Sequence, residues 1–304
     1  MLTTTSTVAD FIEKFPTLEP ISKTPVLNLE LFYAIPRCLI MIGAIPLLTH
    51  ITVVIDNQTR KLLETQANNL RLSREQQAIQ QRIIYSLSSI IESRDQITGD
   101  HIHNTSDYVS FLTDKLREKD EFKDILTPEY ADLSVRAAPL HDVGKIKIID
   151  SILCKPGKLT PDEFDKIKYH TIYGKNIMSQ IIGDLRDDDY LEIASEMAFS
   201  HHERYDGNGG YPMGLKGEDI PLCARIMAVA DVLDALLSKR HYKEAYSLEK
   251  TREIMSAEYG KQFDPVVLSA LLDNWDEFVE LYERKNKTPR NNGAEEQTAA
   301  ENAG

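Results

Sequence analysis

IMAVADVLDALL, residues 226–237, decides the class of fold. Its apolar positions recur three and four residues apart, as on one face of a helix, and IMSQIIGDL (177–185) repeats the pattern. Alternation at period two is scarce from Ile91 to Tyr282, so the spacing predicts a main domain that is nearly all helical. Toward the N-terminus, residues 57–91 contain neither Gly nor Pro and are rich in Leu, Gln, Arg and Glu, which predicts one long connector helix. Leu63, Ala67 and Leu70, then Ile83, Leu87 and Ile90, recur at helical spacing, with a glutamine-rich interval between them. That pattern suits either a homodimeric coiled coil or a solvated helical spacer.

Further out, residues 38–55 (CLIMIGAIPLLTHITVVI) run 18 residues without Asp, Glu, Lys or Arg, long enough to cross a hydrocarbon core as a helix. Arg37, Pro46 and His50 weigh against a spanning helix, and the buried end of a small sensory domain would read similarly. If the segment spans, Arg60, Lys61, Arg71 and Arg74 place the C-terminal side in the cytoplasm, with the main domain on the inner face of the membrane. Residues 1–30 show no sustained period and lack the basic start and apolar core of a secretory signal. The polar stretch 285–304 has almost nothing to bury and reads as disordered. The expected organisation is an N-terminal region 1–56, a linker 57–91, a main domain 92–283 and a tail 284–304.

The 304 residues carry 35 Lys+Arg against 48 Asp+Glu, a net charge of −13, which argues against coating a nucleic-acid polymer. A phosphate ligand must meet a local cationic pocket instead. Three cysteines (Cys38, Cys154, Cys223) lie far apart without a C-x-x-C pair, so neither a disulfide framework nor a thiolate zinc site is expected. Histidine is uneven: six of the eight (His101, His103, His141, His170, His201, His202) fall within about a third of the chain.

The strongest local signal is His141-Asp142, followed by Gly144 and Lys145, in APLHDVGKIKI (138–148). Adjacent imidazole and carboxylate can give one metal two ligands, or the carboxylate can bridge two metals, while Lys145 one turn on suits a phosphate. Alone, the pair is better read as a hydrogen-bonded helix-end histidine. His101, His170, the doublet His201-His202 and Asp231 change that balance. Five histidines and two aspartates exceed the needs of a mononuclear site and suit a binuclear centre of two divalent ions, iron or manganese, with zinc also compatible. Such a centre fits phosphoester hydrolysis. His103 and His241 are the candidates for histidines outside it. In HHERYDGNGGYPMGLKGEDIP (201–221), Gly207, Gly209 and Gly210 beside Asn208 permit close approach to the main chain, and Tyr211 offers a stacking face for a nucleobase.

On these residues the chain resembles the HD-GYP family, the branch of the HD phosphohydrolase superfamily that hydrolyses cyclic di-GMP. The resemblance runs from about Ile91 to Tyr282 through ESRDQITGDH (92–101), LHDVGKIKI (140–148), ILCKPGKLTPDEFDKIKYHTIYG (152–174), HHERYDGNGGYP (201–212), IPLCARIMAVADVLDAL (220–236) and SKRHYK (238–243). It implies an HD-type helical bundle in which His101, His141, Asp142, His170, His201, His202 and Asp231 hold metal, with Asp142 as the bridge. It implies that Lys145 holds the scissile phosphate and that Tyr211, Asp234, Arg240 and Lys243 contact the dinucleotide, Asp234 suiting an outer-sphere role as well. Glu92 and Asp95 match in supporting roles. Some members carry Glu immediately before the threonine of the first motif, where it helps hold a third metal; Ile97 stands there, so a binuclear centre is expected. Asn104 replaces a frequent arginine, and Gly209-Gly210 lengthens the common loop by one residue. The implied activity is opening of cyclic di-GMP to pGpG and onward to GMP, with a diguanylate cyclase or another signalling protein as partner. The same core without catalysis would be a signalling module, and another cyclic dinucleotide would be an alternative substrate.

Overall fold

Helix dominates residues 27–95, 100–182, 189–239 and 244–287, which the computed structural model describes. In chain order the α-helices are α1 (Leu27–Arg94), α2 (Asp100–Arg117), α3 (Pro128–Ala137), α4 (Asp150–Leu153), α5 (Pro161–Ile182), α6 (Asp189–Ser200), α7 (Leu222–Leu237), α8 (Leu248–Ala257), α9 (Pro265–Leu272) and α10 (Trp275–Lys287). No strand occurs among the described residues, apart from one isolated bridge between Tyr259 and Phe263. The chain divides into two units, one ending at Gln76 and the other beginning at Gln77.

The described part of the first unit is helix. The apolar segment 38–55 and the connector 57–91 are not separate elements, because α1 runs through both and contains Pro36 and Pro46. An 18-residue window reaches a mean hydropathy of 2.3 with none of it buried, so by length and composition this helix can cross a membrane. Leu39, Ile40, Ile42, Leu47, Leu48, Val53 and Ile55 are all exposed. Thr49 and Thr52 donate their hydroxyls to Pro46 and Leu48 carbonyls at 2.8 Å, so their polar atoms are satisfied within the helix, as apolar surroundings require.

In the second unit, α7 is the central helix. Its sequence is apolar on nearly every side, and Cys223, Ile226, Met227, Val229, Ala230 and Leu233 are fully buried. Around it pack Tyr108, Val109, Leu112 and Leu116 of α2, Met197 of α6, Val267, Leu268 and Leu271 of α9, and Phe278 of α10. Asp264 starts α9 by accepting from Val266 and Val267 amides and pairs with Arg225 of α7 at 2.5 Å. α5 lies along α6 and against the 3-10 turn Val143–Lys147, which fixes the histidine–aspartate pair.

Two expected boundaries move. The domain does not begin at residue 92: Ile84, Ser88 and Ile91 of α1 face the bundle, and Gln81 donates to the Arg136 carbonyl at 3.1 Å. The expected seam Ile83, Leu87 and Ile90 is the neighbouring stripe, and it stays exposed. At the other end α10 carries helix to Lys287, into the stretch read as tail, because Lys285 pairs with Asp107 at 2.6 Å. Residues 288–304 lie outside the described residues.

Candidate metal centre

Four histidines present the same edge to one place. A backbone carbonyl only accepts, so a ring nitrogen beside one carries the proton and leaves the other nitrogen as a lone-pair donor. His141 Nδ1 donates to the Ala138 carbonyl at 2.8 Å, His170 Nδ1 to Ile167 at 2.8 Å and His201 Nδ1 to Met197 at 3.0 Å. His101 Nδ1 meets Asp234 Oδ2 at 2.6 Å. The three carbonyl contacts are local, each histidine reaching a carbonyl three or four residues back along the chain. The outward nitrogens, Nε2 of His141, His170 and His201, are buried and have no hydrogen-bond partner among the described residues, and neither has Asp142 Oδ1.

With His101, His202 and Glu92, these donors form two sets of four. Asp142, His170, His201 and His202 lie with their donor atoms within 4.8 Å of one another, and so do Glu92, His101, His141 and Asp142. Asp142 belongs to both: Oδ1 is 3.2 Å from His170 Nε2, and Oδ2 is 3.4 Å from His141 Nε2. Asp231 stands beside them, Oδ1 3.7 Å from His101 Nε2. Buried lone pairs without protons to meet are costly, and a cation relieves them all at once, so the donor chemistry fits divalent metal. Six of the seven expected ligands thus fall in the two sets and the seventh adjoins them. Glu92, expected in a supporting role, joins a donor set.

The electrostatics agree for the doublet. Burial, then the charge of His141, pushes His201 down to about 3, and burial with His201 and His170 holds His202 well below the usual imidazole range, so both offer neutral rings. Burial opposes charge on His141 too, yet Asp142 beside it raises that ring to about 9. Asp142 is held well below the usual carboxylate range: burial works against its charge, and Lys145 and His141 outweigh burial. Burial raises Glu92 to about 7.

Lys145 sits between Asp142 Oδ2 at 2.8 Å and Asp95 Oδ2 at 2.7 Å, almost out of solvent. Asp95, expected only to support, is the residue that aims it. Arg94 secures the same loop, donating to the Ile148 carbonyl at 2.9 Å and pairing with Asp150 at 2.5 Å. Asp234, expected at the dinucleotide or in an outer-sphere role, is turned inward. It is fully buried, and its oxygens are taken by His101, by Asn104 Nδ2 at 2.7 Å and by Ser238 Oγ at 3.1 Å. It fixes the ring of His101, and Asn104, in place of the frequent arginine, helps to hold it. His103 stacks on Tyr85 at 4.6 Å. Arg240, His241 and Lys243 lie outside the described residues, as do Ile97 and Thr98.

Tyr211 lies against the doublet, its ring 4.7 Å from that of His202, with Phe164 at 6.5 Å and Lys168 Nζ 5.8 Å from its centre. The loop is seated by Glu203, whose carboxylate accepts from Met213 N at 2.7 Å and Leu215 N at 3.0 Å. Sequence reasoning passed over Glu203, Phe164 and Lys168; the only signal for Glu203 was an acid directly after two ligand histidines. The inserted glycine pair is accommodated in two ways. Gly209 takes φ 79°, and a Cβ on Gly210 would lie 2.5 Å from the Arg204 amide nitrogen.

A helical bundle that gathers a histidine–aspartate pair with further histidines around a shared carboxylate defines an HD-type domain. The HD-domain family matches residues 86–267, and with the GYP loop seated against its histidine doublet the chain belongs to the HD-GYP branch of that family. It is 43% identical over 225 residues to a "Probable cyclic di-GMP phosphodiesterase" of Vibrio cholerae, covering 73% of this chain and 50% of the relative. It is 42% identical over 228 residues to a "Cyclic di-GMP phosphodiesterase" of the same organism, covering 75% and 45%. It is 38% identical over 229 residues to a "3'3'-cGAMP-specific phosphodiesterase 2", again of Vibrio cholerae, covering 73% and 41%. The chain thus spans half the length of these curated relatives or less.

Proposed function

We propose that this chain is a metal-dependent phosphodiesterase that opens cyclic di-GMP to linear pGpG and continues to GMP. The observation that carries the reading is the pair of four-donor sets sharing Asp142, which suits two ions rather than one. Iron or manganese matches a donor set of imidazole and carboxylate without thiolate. When bound, two such ions supply Lewis acidity to phosphoryl oxygens and lower the pKa of water. The chain's own groups do the rest. Asp142 joins the two donor sets, Asp234 orients His101, and Asp95 aims Lys145, whose ammonium is charged and in place for a phosphate oxygen. Tyr211 and Phe164 present aromatic faces for a base, and burial raises the Tyr211 phenol, so it stays protonated. Arg240 and Lys243 add dinucleotide contacts on the strength of the family resemblance.

The 38% identity to a 3'3'-cGAMP-specific relative favours a second reading, the same hydrolase acting on another cyclic dinucleotide. A panel of cyclic dinucleotides compared by kcat/KM separates the two. A non-catalytic signalling module is disfavoured by the completeness of the donor sets. Homodimerisation through 57–91 is supported by Ile79, Ile83, Leu87 and Ile90, which recur at spacings of three and four and stay exposed.

The test is the metal-loaded protein with Fe(II) or Mn(II), cyclic di-GMP and product identification. Asp142→Ala is expected to lose both metal and activity. Lys145→Ala should keep its metal and lose about 10²–10³ in kcat, the usual size for one preorganised charge partner. Equal metal loss in the two variants contradicts the assigned roles, and an uncut substrate with full metal sinks the reading.

A further inference from the structure

Glu92 is the carboxylate for which the binuclear ligand set has no use. It stands in the last turn of α1, is 2% exposed, and neither of its oxygens has a hydrogen-bond donor among the described residues. Oε1 lies 3.5 Å from His101 Nε2, and Glu92 shares a cluster with His101, His141 and Asp142 in which every donor atom is within 4.8 Å of the others. A buried carboxylate of this kind costs several kcal/mol unless a cation meets it. The nearby basic side chains are engaged elsewhere: Lys145 is held by Asp142 and Asp95, and Arg94 by Asp150 and the carbonyls of Lys145, Ile146 and Ile148.

We propose that Glu92 is itself a metal ligand, completing with His101, His141 and Asp142 the site of one ion while His170, His201, His202 and Asp142 hold the other. This rests on reading the cluster as a metal centre. Asp231, beside His101 but in neither four-donor set, then supports the first site from its edge. The carboxylate is delivered from the end of the long helix. Ligation is thereby tied to the placing of that turn, which Arg94 and Asp95 also anchor.

The experiment is calorimetric titration of the metal-free full chain with Mn(II), beside Glu92→Gln and Glu92→Asp. Wild type should bind two ions. Glu92→Gln, which keeps the shape and removes the charge, should weaken one site at least tenfold and leave the other unchanged. Glu92→Asp, charged but one methylene shorter, should fall between them. Two sites of wild-type affinity in Glu92→Gln overturn the assignment while leaving the metal centre intact. Failure of the wild type to bind Mn(II) at all overturns the metal centre instead. Should Glu92→Gln fail to fold by circular dichroism, Glu92→Asp decides alone, since unchanged affinity at both of its sites also refutes ligation.

Discussion

Glu203 shows how much of a substrate loop can hang on one side chain. It is buried beside the doublet, and its two oxygens accept the amides of Met213 and Leu215, ten and twelve residues away. Each bond to a carboxylate is worth about 1.5–3 kcal/mol. Glu203→Ala is therefore expected to lower stability by about 3 kcal/mol, read as a denaturant midpoint at unchanged m-value. Metal content should stay at the wild-type level and KM should rise, because the loop carrying Tyr211 loses its seat. An unchanged KM would show that the loop positions itself without it. At this scale legibility followed residue type. Histidines and paired aspartates are scarce enough that their clustering exposed the donor sets. Asp234 and Glu203 are ordinary acids whose meaning depends on which buried groups face them. Helical spacing put Asp234 one turn from Asp231 but could not say that α2 would bring His101 and Asn104 onto it.

Between elements the decisive contact is that of the 3-10 turn Val143–Lys147 with α5. Gly144 faces that helix so closely that a Cβ there would lie 1.9 Å from the His170 carbonyl oxygen and 2.5 Å from the Gly174 amide nitrogen. Both obstacles are backbone, so a side chain cannot swing aside. Gly144→Ala must separate the turn from α5, and with it Asp142 and Lys145 from His170. The expected outcome is a loss of about 3 kcal/mol or more in stability, beyond the 1–3 kcal/mol typical of overpacking, together with loss of metal. Wild-type thermal stability with full metal would show that the two elements are not held at this distance. α1 illustrates the limit of periodicity. Stripes one residue apart, Ile83/Leu87/Ile90 and Ile84/Ser88/Ile91, differ too little in composition to tell which one a bundle will cover. The covered one includes Ser88, which hydropathy ranks poorly, and it ends at Glu92 and Asp95, where the helix meets the centre.

At the scale of the whole chain, charge and apolar surface point in different directions. The net charge of −13 denies a broad anion-binding surface, and the buried Lys145 is already countered by Asp142 and Asp95. Attraction for a phosphodiester must then come from bound metal and from basic groups close to it, which predicts that metal removal abolishes nucleotide binding as well as turnover. The first unit has the opposite problem: a run of exposed apolar side chains from Ile35 to Ile55, none of its most apolar window buried. In water such a surface is unfavourable at roughly 25 cal/mol per Å², and a bilayer relieves it. The full chain is therefore expected in the membrane fraction, resistant to extraction by salt and released by detergent. Arg at Ile42 or Leu48, costing about 2.5–3.5 kcal/mol each at a helix centre, should shift it toward the soluble fraction. With Arg60, Lys61, Arg71 and Arg74 following the run, the HD domain should resist protease added outside intact spheroplasts. Wild-type protein wholly in the soluble fraction would refute the anchor and leave a partner's apolar surface as the cover for this segment.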